Sequence, residues 1–352
     1  MTTGLFAGSF DPIHIGHITA ITEAALQVAK LYVVIARNDE KTPSFKMDER
    51  VGFATHALRH LPNVQVFMST ADITDIIRRY APDVLYRGVR NDKDISYETE
   101  CFEWVKRNVS NPPTLICLKA DSKHVDVSSS LIKSVVSYGY DPSPYVGRDV
   151  VRALYAKIMG SYRCGVAGPM GAGKTTFGQK YKDFDRKSGL VSIDEIGRDL
   201  IKEPYPGVQK DYALLREALQ VPDNASIFGK MLTLPVAEQS KYQERIRPHY
   251  ETEIRSKMRY LKGRTVFFEW VRILEDDMGG YCGYNLIVLN PSKEDMERNM
   301  KARGITPDDP RYKNQSIDPE AYAKRAESQG YRVLLIDPAT VDMSTVKTFI
   351  EG

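Results

Sequence analysis

The chain has 352 residues, of which 42% are hydrophobic and 27% charged, and its net charge is +3 at pH 7. This length predicts two domains of an ordinary globular protein. The nearly balanced charge gives no support for a nucleic-acid partner, and no apolar run reaches the roughly 18–20 residues of a membrane span. Four scattered cysteines without metal-site spacing, and first residues without a leader pattern, indicate a cytoplasmic protein with reduced thiols.

Strand-like and helix-like segments alternate through the first half. Short apolar or β-branched runs predict strands at residues 3–7, 31–36, 64–68, 84–86 and 114–118, and residues 18–29 have the spacing of an amphipathic helix. The alternation predicts an α/β fold, a Rossmann-like parallel sheet with helices on both faces. Such sheets bind ligands at the carboxyl ends of their strands.

A domain boundary is predicted between residues 159 and 160. Residues 138–144 are predicted to form a loop, and residues 147–158 are predicted to form a helix that closes the first domain. Met159-Gly160-Ser161 is the predicted hinge before a new strand at 162–167. Further strands are predicted at 190–193, 265–268 and 286–289. The second half is therefore expected to hold a second α/β parallel sheet, with domains at 1–159 and 160–352.

The first strand leads into Gly8-Ser-Phe-Asp-Pro-Ile-His-Ile-Gly-His17. Gly8 permits a close approach of the backbone to phosphate, and Ser9 offers a hydroxyl. His14 and His17 lie three residues apart at a predicted helix start, where free N–H groups attract phosphate. The motif predicts nucleotidyl transfer from ATP, in which positioned donors stabilise the charge on the α-phosphate.

Three further segments contain residues suited to phosphate binding, each with a plainer interpretation. Arg87 and Arg90 flank a glycine after a strand and could equally form a solvated basic turn. Ser128, Ser129 and Ser130 precede a helix expected from residue 131 and could simply cap it. Lys41 lies in a polar loop, where solvated lysines are common.

The stretch Gly8–His17 resembles the signature of the nucleotidyltransferase superfamily, and the first 158 residues resemble bacterial phosphopantetheine adenylyltransferase. The closer match rests on three segments: Lys41-Thr-Pro-Ser-Phe followed by Asp48-Glu-Arg50, Leu85-Tyr-Arg-Gly-Val-Arg90 followed by Asp94 and Tyr97-Glu98, and Val127-Ser-Ser-Ser-Leu-Ile-Lys133.

The resemblance implies that Ser9, Lys41, Ile73 and Arg87 bind 4′-phosphopantetheine, and that His17 stabilises the transition state. His14 is a second catalytic candidate on the motif alone, because an imidazole at a helix start can donate to phosphate. Mg²⁺ would accompany the triphosphate. The residues implied in ATP binding are Ser9, Phe10, His17, Gly88, Val89, Arg90, Glu98, His124, Val125, Asp126, Val127, Ser128, Ser129 and Ser130.

Three features depart from that family, and one of them is the stretch His124-Val-Asp126 before the serines, which differs from the expected bacterial pattern. A threonine commonly stands where this chain has Ser9, a change that keeps the hydroxyl. The family usually has threonine in place of His14, whereas a histidine there is common in adenylyltransferases that act on nicotinamide mononucleotide. Nucleotidyl transfer is unaffected by these departures, but His14 favours a different acceptor.

The second half contains Gly168-Pro-Met-Gly-Ala-Gly-Lys174-Thr175-Thr176 between a predicted strand and helix. This P-loop pattern predicts phosphate binding by the backbone and by Lys174, with Thr175 as an Mg²⁺ ligand. The predicted ATP-binding residues here are Gly168, Gly171, Ala172, Gly173, Lys174, Thr175, Thr176 and Arg303. Arg298 and Arg303 suit a lid over ATP, although either could be surface charge. Asp194, at a strand end, could accept the acceptor's proton or cap a helix.

This half resembles dephospho-coenzyme A kinase over about residues 162–340. The matching segments are the P-loop, Asp194 leading to Lys202-Glu-Pro204, Ile227-Phe228, and Arg247-Pro-His249 with the helix after it. One departure is prominent: the usual Pro-Leu-Leu before Glu275 is replaced by Trp270-Val-Arg-Ile-Leu.

The two resemblances describe consecutive steps, because dephospho-coenzyme A is the product of the first and the substrate of the second. They imply a bifunctional coenzyme A-forming enzyme that uses ATP and Mg²⁺, with no nucleic-acid or membrane partner. Two alternatives stay open. One is a nicotinamide mononucleotide adenylyltransferase fused to a ribosylnicotinamide kinase; the other is a nucleotide-sensing regulator with a degenerate kinase half. The sequence does not determine the oligomeric state, so homo-oligomers stay open too.

Overall fold

The computed structural model describes residues 2–36, 42–119, 123–202, 205–222, 227–231, 233–306, 309 and 317–352, without the side chains at positions 228, 229, 236, 237 and 240. The described residues form two compact units. The first comprises the residues up to Val135 together with Pro142–Ala153, and the second comprises Val136–Asp141 together with Leu154–Gly352. The boundary between residues 159 and 160 stays a prediction.

The first unit is a five-stranded parallel sheet in the order β3-β2-β1-β4-β5. Its strands are β1 Thr3–Gly8, β2 Lys30–Ala36, β3 Val64–Ser69, β4 Val84–Val89 and β5 Thr114–Lys119. Its helices are α1 Ile15–Gln27, α2 Met47–Leu58, α3 Ile73–Tyr80, α4 Asp92–Asn108, α5 Ser129–Ser137 and α6 Arg148–Leu154. The order reverses between β1 and β4, and this reversal creates a switch point at their carboxyl ends.

Helices cover both faces of this sheet, which explains the unbroken apolar runs of its strands. In β1, Phe6 packs into one core cluster with Ile21, while Leu5 packs into another with Ile77. Neighbouring residues of a strand point to opposite faces, so a strand covered on both sides buries both sets.

The second unit is also a five-stranded parallel sheet, in the order β10-β9-β6-β8-β7. Its strands are β6 Tyr162–Ala167, β7 Ser188–Ser192, β8 Thr265–Glu269, β9 Asn285–Leu289 and β10 Arg332–Ile336. Its helices are α7 Lys174–Phe184, α8 Ile193–Leu200, α9 Pro206–Ala218, α10 Ile227–Met231, α11 Val236–Tyr260, α12 Lys293–Ala302, α13 Pro319–Ser328 and α14 Met343–Glu351. The predicted α/β fold with two parallel sheets is confirmed.

Two helices differ from their sequence-based expectation. The helix expected after Arg247-Pro-His249 is part of α11, which runs through Pro248. Pro248 is exposed, so water can satisfy the backbone carbonyl whose usual N–H partner is missing. The closing helix expected over residues 147–158 is α6 followed by a π-helical turn at Tyr155–Met159, and Gly160 ends it with a positive φ of 61°.

Candidate active sites

A large cleft opens in the first unit where β1 and β4 end. Its volume is about 1740 Å³, and pockets for a single small molecule usually hold roughly 300–1,000 Å³. The cleft therefore has room for two substrates. Most of the predicted site residues of this half line it: Ser9, Phe10, His14, His17, Ile73, Arg87, Gly88, Val89, Arg90, Glu98, His124, Val127, Ser128, Ser129 and Ser130.

Three predicted residues of this half are not part of that lining. Val125 and Asp126 belong to the segment before α5 but are absent from the cleft wall, while their neighbours His124 and Val127 line it. Lys41 lies outside the described residues. Its predicted contact with the acceptor stays a prediction.

The two histidines of the motif form a stacked pair at the start of α1. His14 precedes the helix, and its backbone N–H donates to Nδ1 of His17 over 3.3 Å. The two rings stack with centroids 3.6 Å apart, and Phe10 packs edge-on against His17 at 5.0 Å. Because Nδ1 of His17 accepts a hydrogen bond, its neutral ring carries the hydrogen on Nε2 and can donate it to a ligand.

Both histidines are held in the neutral form. Loss of hydration, together with the smaller effect of the positive charges of Arg90 and His124, lowers the pKa of His14 to about 4. The pKa of His17 also lies well below its usual value, because of burial and the charges of His14 and Arg90. His17 is therefore suited to stabilising phosphate charge by hydrogen bonding at neutral pH, rather than to supplying a proton.

The arginines at the carboxyl end of β4, Arg87 within the strand and Arg90 just after it, are both tied to α4 by carboxylates. Arg87 places Nε 2.6 Å from Oε2 of Glu98 and donates from Nη1 to the carbonyl of Ala7 over 2.8 Å. Arg90 donates from its backbone N–H and from Nε to Asp94, both over 3.0 Å. These pairs fix the side chains beside the cleft, and Glu98, predicted for ATP, orients Arg87 in this structure.

The serines before α5 have different local roles. The hydroxyl of Ser128 accepts from the backbone N–H of Leu131 at 3.1 Å, as a helix cap does. The hydroxyl of Ser129 donates to the carbonyl of Pro12 at 3.0 Å, which ties α5 to the histidine motif. Capping and phosphate binding are compatible, because backbone N–H groups of the first helical turn stay available.

Sequence reasoning placed Asp11, Arg50 and Lys133 in matching segments but gave none of them a role, and all three line this cleft. Asp11 accepts hydrogen bonds from the backbone N–H groups of Ser44 and Phe45 and from Nζ of Lys133, each at 2.9 Å. Burial raises the pKa of Asp11, but these bonds outweigh it and lower the pKa below its usual value. Its partners are distant in sequence, so no local pattern reveals them.

In the second unit, the P-loop joins β6 to α7. Gly171 and Gly173 adopt positive φ angles of 85° and 79°, which favour glycine because other residues are strained there. A side chain at Gly171 would also meet Met300 of α12 at 3.0 Å. Asn299 of the same helix donates from Nδ2 to the carbonyl of Gly171 at 2.8 Å, so α12 holds the loop in shape.

The lysine of this loop bonds to the loop's own carbonyls and is influenced by charged groups on neighbouring elements. Nζ of Lys174 donates to the carbonyls of Gly168 and Pro169 at 3.0 and 3.2 Å. Burial lowers the pKa of Lys174. The carboxylates of Glu269 and Asp194 raise that pKa, and the charge of Arg303 lowers it, so all three groups act on this site. Asp194 is exposed on α8, yet partial loss of hydration raises its pKa against the charges of Lys174 and Arg198.

Glu269 is the site residue of the second unit that sequence reasoning left without a role. It ends β8, is 9% exposed, and accepts a hydrogen bond from Oγ1 of Thr175 at 3.0 Å. A hydroxyl beside a carboxylate is a hard-oxygen pair that suits Mg²⁺. Within the described ranges there is no group of three or more histidine, cysteine, aspartate or glutamate residues that could hold a metal alone. Nucleotide phosphates usually supply the remaining ligands.

The remaining predicted ATP residues of this half lie on the loop, on α7 and after α12. Ala172 is a buried residue of the loop, Thr176 is exposed on α7, and Arg303 follows the last residue of α12. Arg298 is exposed and pairs with Asp295. Glu203 and Pro204, which belong to the segments that match the kinase family, lie outside the described residues.

The segment that departs from the kinase pattern forms its own network after β8. The indole N–H of Trp270 donates to Asp276 at 2.6 Å. Asp276 also pairs with buried Arg272 at 3.1 Å, and Arg272 donates to Oε1 of Gln239 at 3.1 Å. These bonds join the residues after β8 to α11 beside the P-loop side of the sheet.

No helix within the described residues is both long and apolar enough to cross a membrane.

A parallel sheet with histidines and arginines around a switch-point cleft defines the first unit as a nucleotide-binding α/β domain. Residues 5–135 match the cytidylyltransferase-like family. The chain is 37% identical over 158 residues to the phosphopantetheine adenylyltransferase of Lactiplantibacillus plantarum, an alignment that spans 45% of this chain and 96% of that protein. It is 35% identical over 162 residues to the phosphopantetheine adenylyltransferase of Levilactobacillus brevis, spanning 46% of this chain and all of that protein. The N-terminal half of the chain therefore belongs to the phosphopantetheine adenylyltransferase family.

Solved structures give only weak likenesses. A crystal structure of NadR protein in complex with NR covers 100% of this chain and 96% of its own, at 14% identity and a TM-score of 0.36. A lipopolysaccharide core biosynthesis protein from Thermoplasma volcanium covers 34% of this chain and 97% of its own, at 21% identity and a TM-score of 0.27. Scores this low have no bearing on function.

Proposed function

We propose that the chain is a bifunctional enzyme that makes coenzyme A in two steps. The first unit would transfer AMP from ATP to 4′-phosphopantetheine, yielding dephospho-coenzyme A and pyrophosphate. The second would phosphorylate the ribose 3′-hydroxyl of that product with a second ATP. The main support is the 37% identity to a phosphopantetheine adenylyltransferase along 96% of that relative, in a domain whose cleft gathers the residues that the chemistry requires.

In the first step, a phosphate oxygen of the acceptor attacks the α-phosphorus of ATP, and the bond from that phosphorus to the β-phosphate oxygen breaks. Negative charge grows on the α-phosphate oxygens, where Nε2–H of His17 would donate. A fixed donor of this kind costs no reorganisation during the reaction. Ser9, Arg87 and Ile73 would hold the acceptor, while Arg90 and residues 128–130 would hold the triphosphate.

In the second step, the P-loop backbone and Lys174 would hold the β- and γ-phosphates. Asp194, with its raised pKa, would accept the proton of the attacking hydroxyl. Thr175 and Glu269 fit an Mg²⁺ ion, which would neutralise phosphate charge when bound. The two relatives described above align with the N-terminal half, so the proposal for this step depends on the loop chemistry and on the fact that the first step yields the acceptor.

We also propose that the enzyme works in the cytoplasm on small molecules alone. The four cysteines, Cys101, Cys117, Cys164 and Cys282, are all free thiols, as expected in a reducing compartment.

One observation favours a second candidate. His14, stacked on His17, is a residue found at this position in adenylyltransferases of nicotinamide mononucleotide. The alternative enzyme would adenylylate that acceptor and phosphorylate ribosylnicotinamide. A nucleotide sensor with a degenerate kinase half is less well supported, because Lys174, Thr175 and Glu269 are all in place.

The deciding experiment supplies purified protein with ATP, Mg²⁺ and either phosphopantetheine or nicotinamide mononucleotide, and follows products by mass. We expect dephospho-coenzyme A first and coenzyme A later. Transfer to nicotinamide mononucleotide alone would replace the proposal with its alternative. Dephospho-coenzyme A supplied directly, together with ATP, tests the second step independently of the first.

Glu269→Gln tests the second step at its metal. The amide keeps the size of the side chain and the hydrogen bond to Thr175 but removes the charge, so the Mg²⁺ concentration for half-maximal phosphorylation should rise about tenfold. Adenylyl transfer by the same variant serves as the control and should be unchanged. An unaltered Mg²⁺ requirement of phosphorylation would exclude Glu269 from the metal site.

A further inference from the structure

Arg50, in the first turn of α2, is a buried cation in the wall of the first cleft. It is 3% exposed, and Nη1 donates to the backbone carbonyl of Ser9 over 2.7 Å. Its Nε is buried without a hydrogen-bond partner. Within the part of the chain that the structure describes, no carboxylate forms an ion pair with it.

The other cations among the described residues that line this cleft are balanced or solvated. Arg87 pairs with Glu98, Arg90 with Asp94, and Lys133 with Asp11. Lys46 is exposed to water. Arg50 therefore differs from them, because neither a described carboxylate nor bulk water balances its charge.

An uncompensated charge away from water lowers the stability of a fold, so its retention calls for an explanation. A neutral side chain could fill the same volume without that penalty. Groups that are poorly satisfied within the protein cluster at binding sites, because the ligand completes them. An arginine in the wall of a nucleotide cleft is matched best by a phosphate, which its planar donors fit.

We infer that Arg50 provides the positive charge of a phosphomonoester subsite beside Ser9, where the phosphate of the acceptor binds. The inference rests on the proposed adenylyl transfer, but not on one acceptor: phosphopantetheine and nicotinamide mononucleotide both present a phosphomonoester as the attacking group. Arg50 holds the carbonyl of Ser9, so the subsite and the backbone that shapes it are linked. Arg50 contributes binding and orientation and takes no proton.

The test compares Arg50→Met with wild type. Methionine keeps much of the volume and removes the charge. We expect the KM for the phosphorylated acceptor to rise about 30-fold, the usual effect of losing a charge-assisted hydrogen bond. The KM for ATP should change less than about threefold. The melting temperature of the protein without substrates should fall less than in Lys133→Met, because removal of the unbalanced charge offsets loss of the bond to the Ser9 carbonyl.

Lys133→Met is the matched control, because it removes a paired cation from the same cleft. It leaves the Asp11 carboxylate without its ion-pair partner, so the melting temperature should fall. If Arg50 has only a structural role, Arg50→Met will behave like Lys133→Met in stability, and the KM for the acceptor will not rise selectively. That outcome overturns the inference. A selective rise in the KM for ATP would assign the charge to the triphosphate and overturn it as well.

Acceptor binding by calorimetry separates failure of the subsite from failure of the proposed reaction, because it needs no turnover. Phosphopantetheine is compared with pantetheine, and nicotinamide mononucleotide with its nucleoside, on both proteins. The affinity gained from the phosphate should be large in wild type and mostly lost in Arg50→Met. An equal gain in both proteins overturns the inference, whichever acceptor the enzyme uses.

Discussion

The two proposed phosphate sites are built in different ways. In the first unit, side chains from distant elements converge on a cleft: histidines at the start of α1, arginines at the end of β4, and serines at the start of α5. In the second unit, the site is one continuous loop between β6 and α7 that contains glycines with positive φ angles and leads into Lys174.

This difference sets where each site is vulnerable. A site of converging side chains depends on the pairs that orient them, such as Arg87 with Glu98. A backbone loop depends on its conformation, which Asn299 and the glycines maintain. Substitutions of single side chains should therefore have large and separable effects in the first unit, while supports of the loop should have small ones in the second.

The largest expected effect follows His17→Ala. Removing the Nε2 donor should lower kcat for adenylyl transfer by about 10³-fold, the usual cost of losing a preorganised donor to a charged transition state. Phosphorylation of dephospho-coenzyme A by the same protein should be unchanged, because the second site lies in another unit. Loss of both activities in a folded variant would contradict the independence of the two sites.

Lys174→Ala is the reciprocal experiment. Phosphorylation should fall by about 100-fold or more, because the variant lacks the charge that spans the phosphates. Adenylyl transfer should persist at the wild-type rate, measured as pyrophosphate release. If the variant still phosphorylates its acceptor, the P-loop is not the site of the second reaction.

Acid should weaken the first unit through its histidines. The pKa of His14 is about 4 in the folded state and 6.5 when unfolded, so between these values only the unfolded chain binds the proton. Stability should therefore fall as the pH drops from 6.5 towards 4, by about 3 kcal/mol from this residue alone. Urea unfolding at several pH values checks this, and His14→Gln should show a smaller loss. An unchanged pH dependence in that variant would contradict the cause.

Asn299→Ala should have the smallest effect. It removes the bond to the Gly171 carbonyl, so the KM for ATP in phosphorylation should rise by about two- to fivefold. Glu297→Ala, at an exposed position of the same helix, is the matched control and should leave the KM unchanged. Equal values for both variants would show that α12 does not support the loop.

Much of the architecture is local in origin and could be predicted. The strand at residues 162–167 was expected with the bounds that β6 has, because a short apolar run before a glycine-rich loop leaves few alternatives. The continuation of α11 through Pro248 could not be predicted from the sequence. A proline inside a helix is tolerated where water can bond to the carbonyl that lost its N–H partner, and the exposure of Pro248 is a property of the folded chain. The sequence left open whether Ser128 caps a helix or binds phosphate, and the structure shows its hydroxyl accepting a capping hydrogen bond from Leu131.

The sequence by itself determined the two motifs, the alternation of strands and helices, and the resemblance of the first half to its family, because these depend on neighbouring residues. Only the tertiary structure decided which charges are paired. Asp11 with Lys133, Thr175 with Glu269, and Arg50 without a described carboxylate each depend on residues far apart in the chain. Whether a cation is balanced is a property of the space around it, and that space exists only after the sheet and its helices have packed.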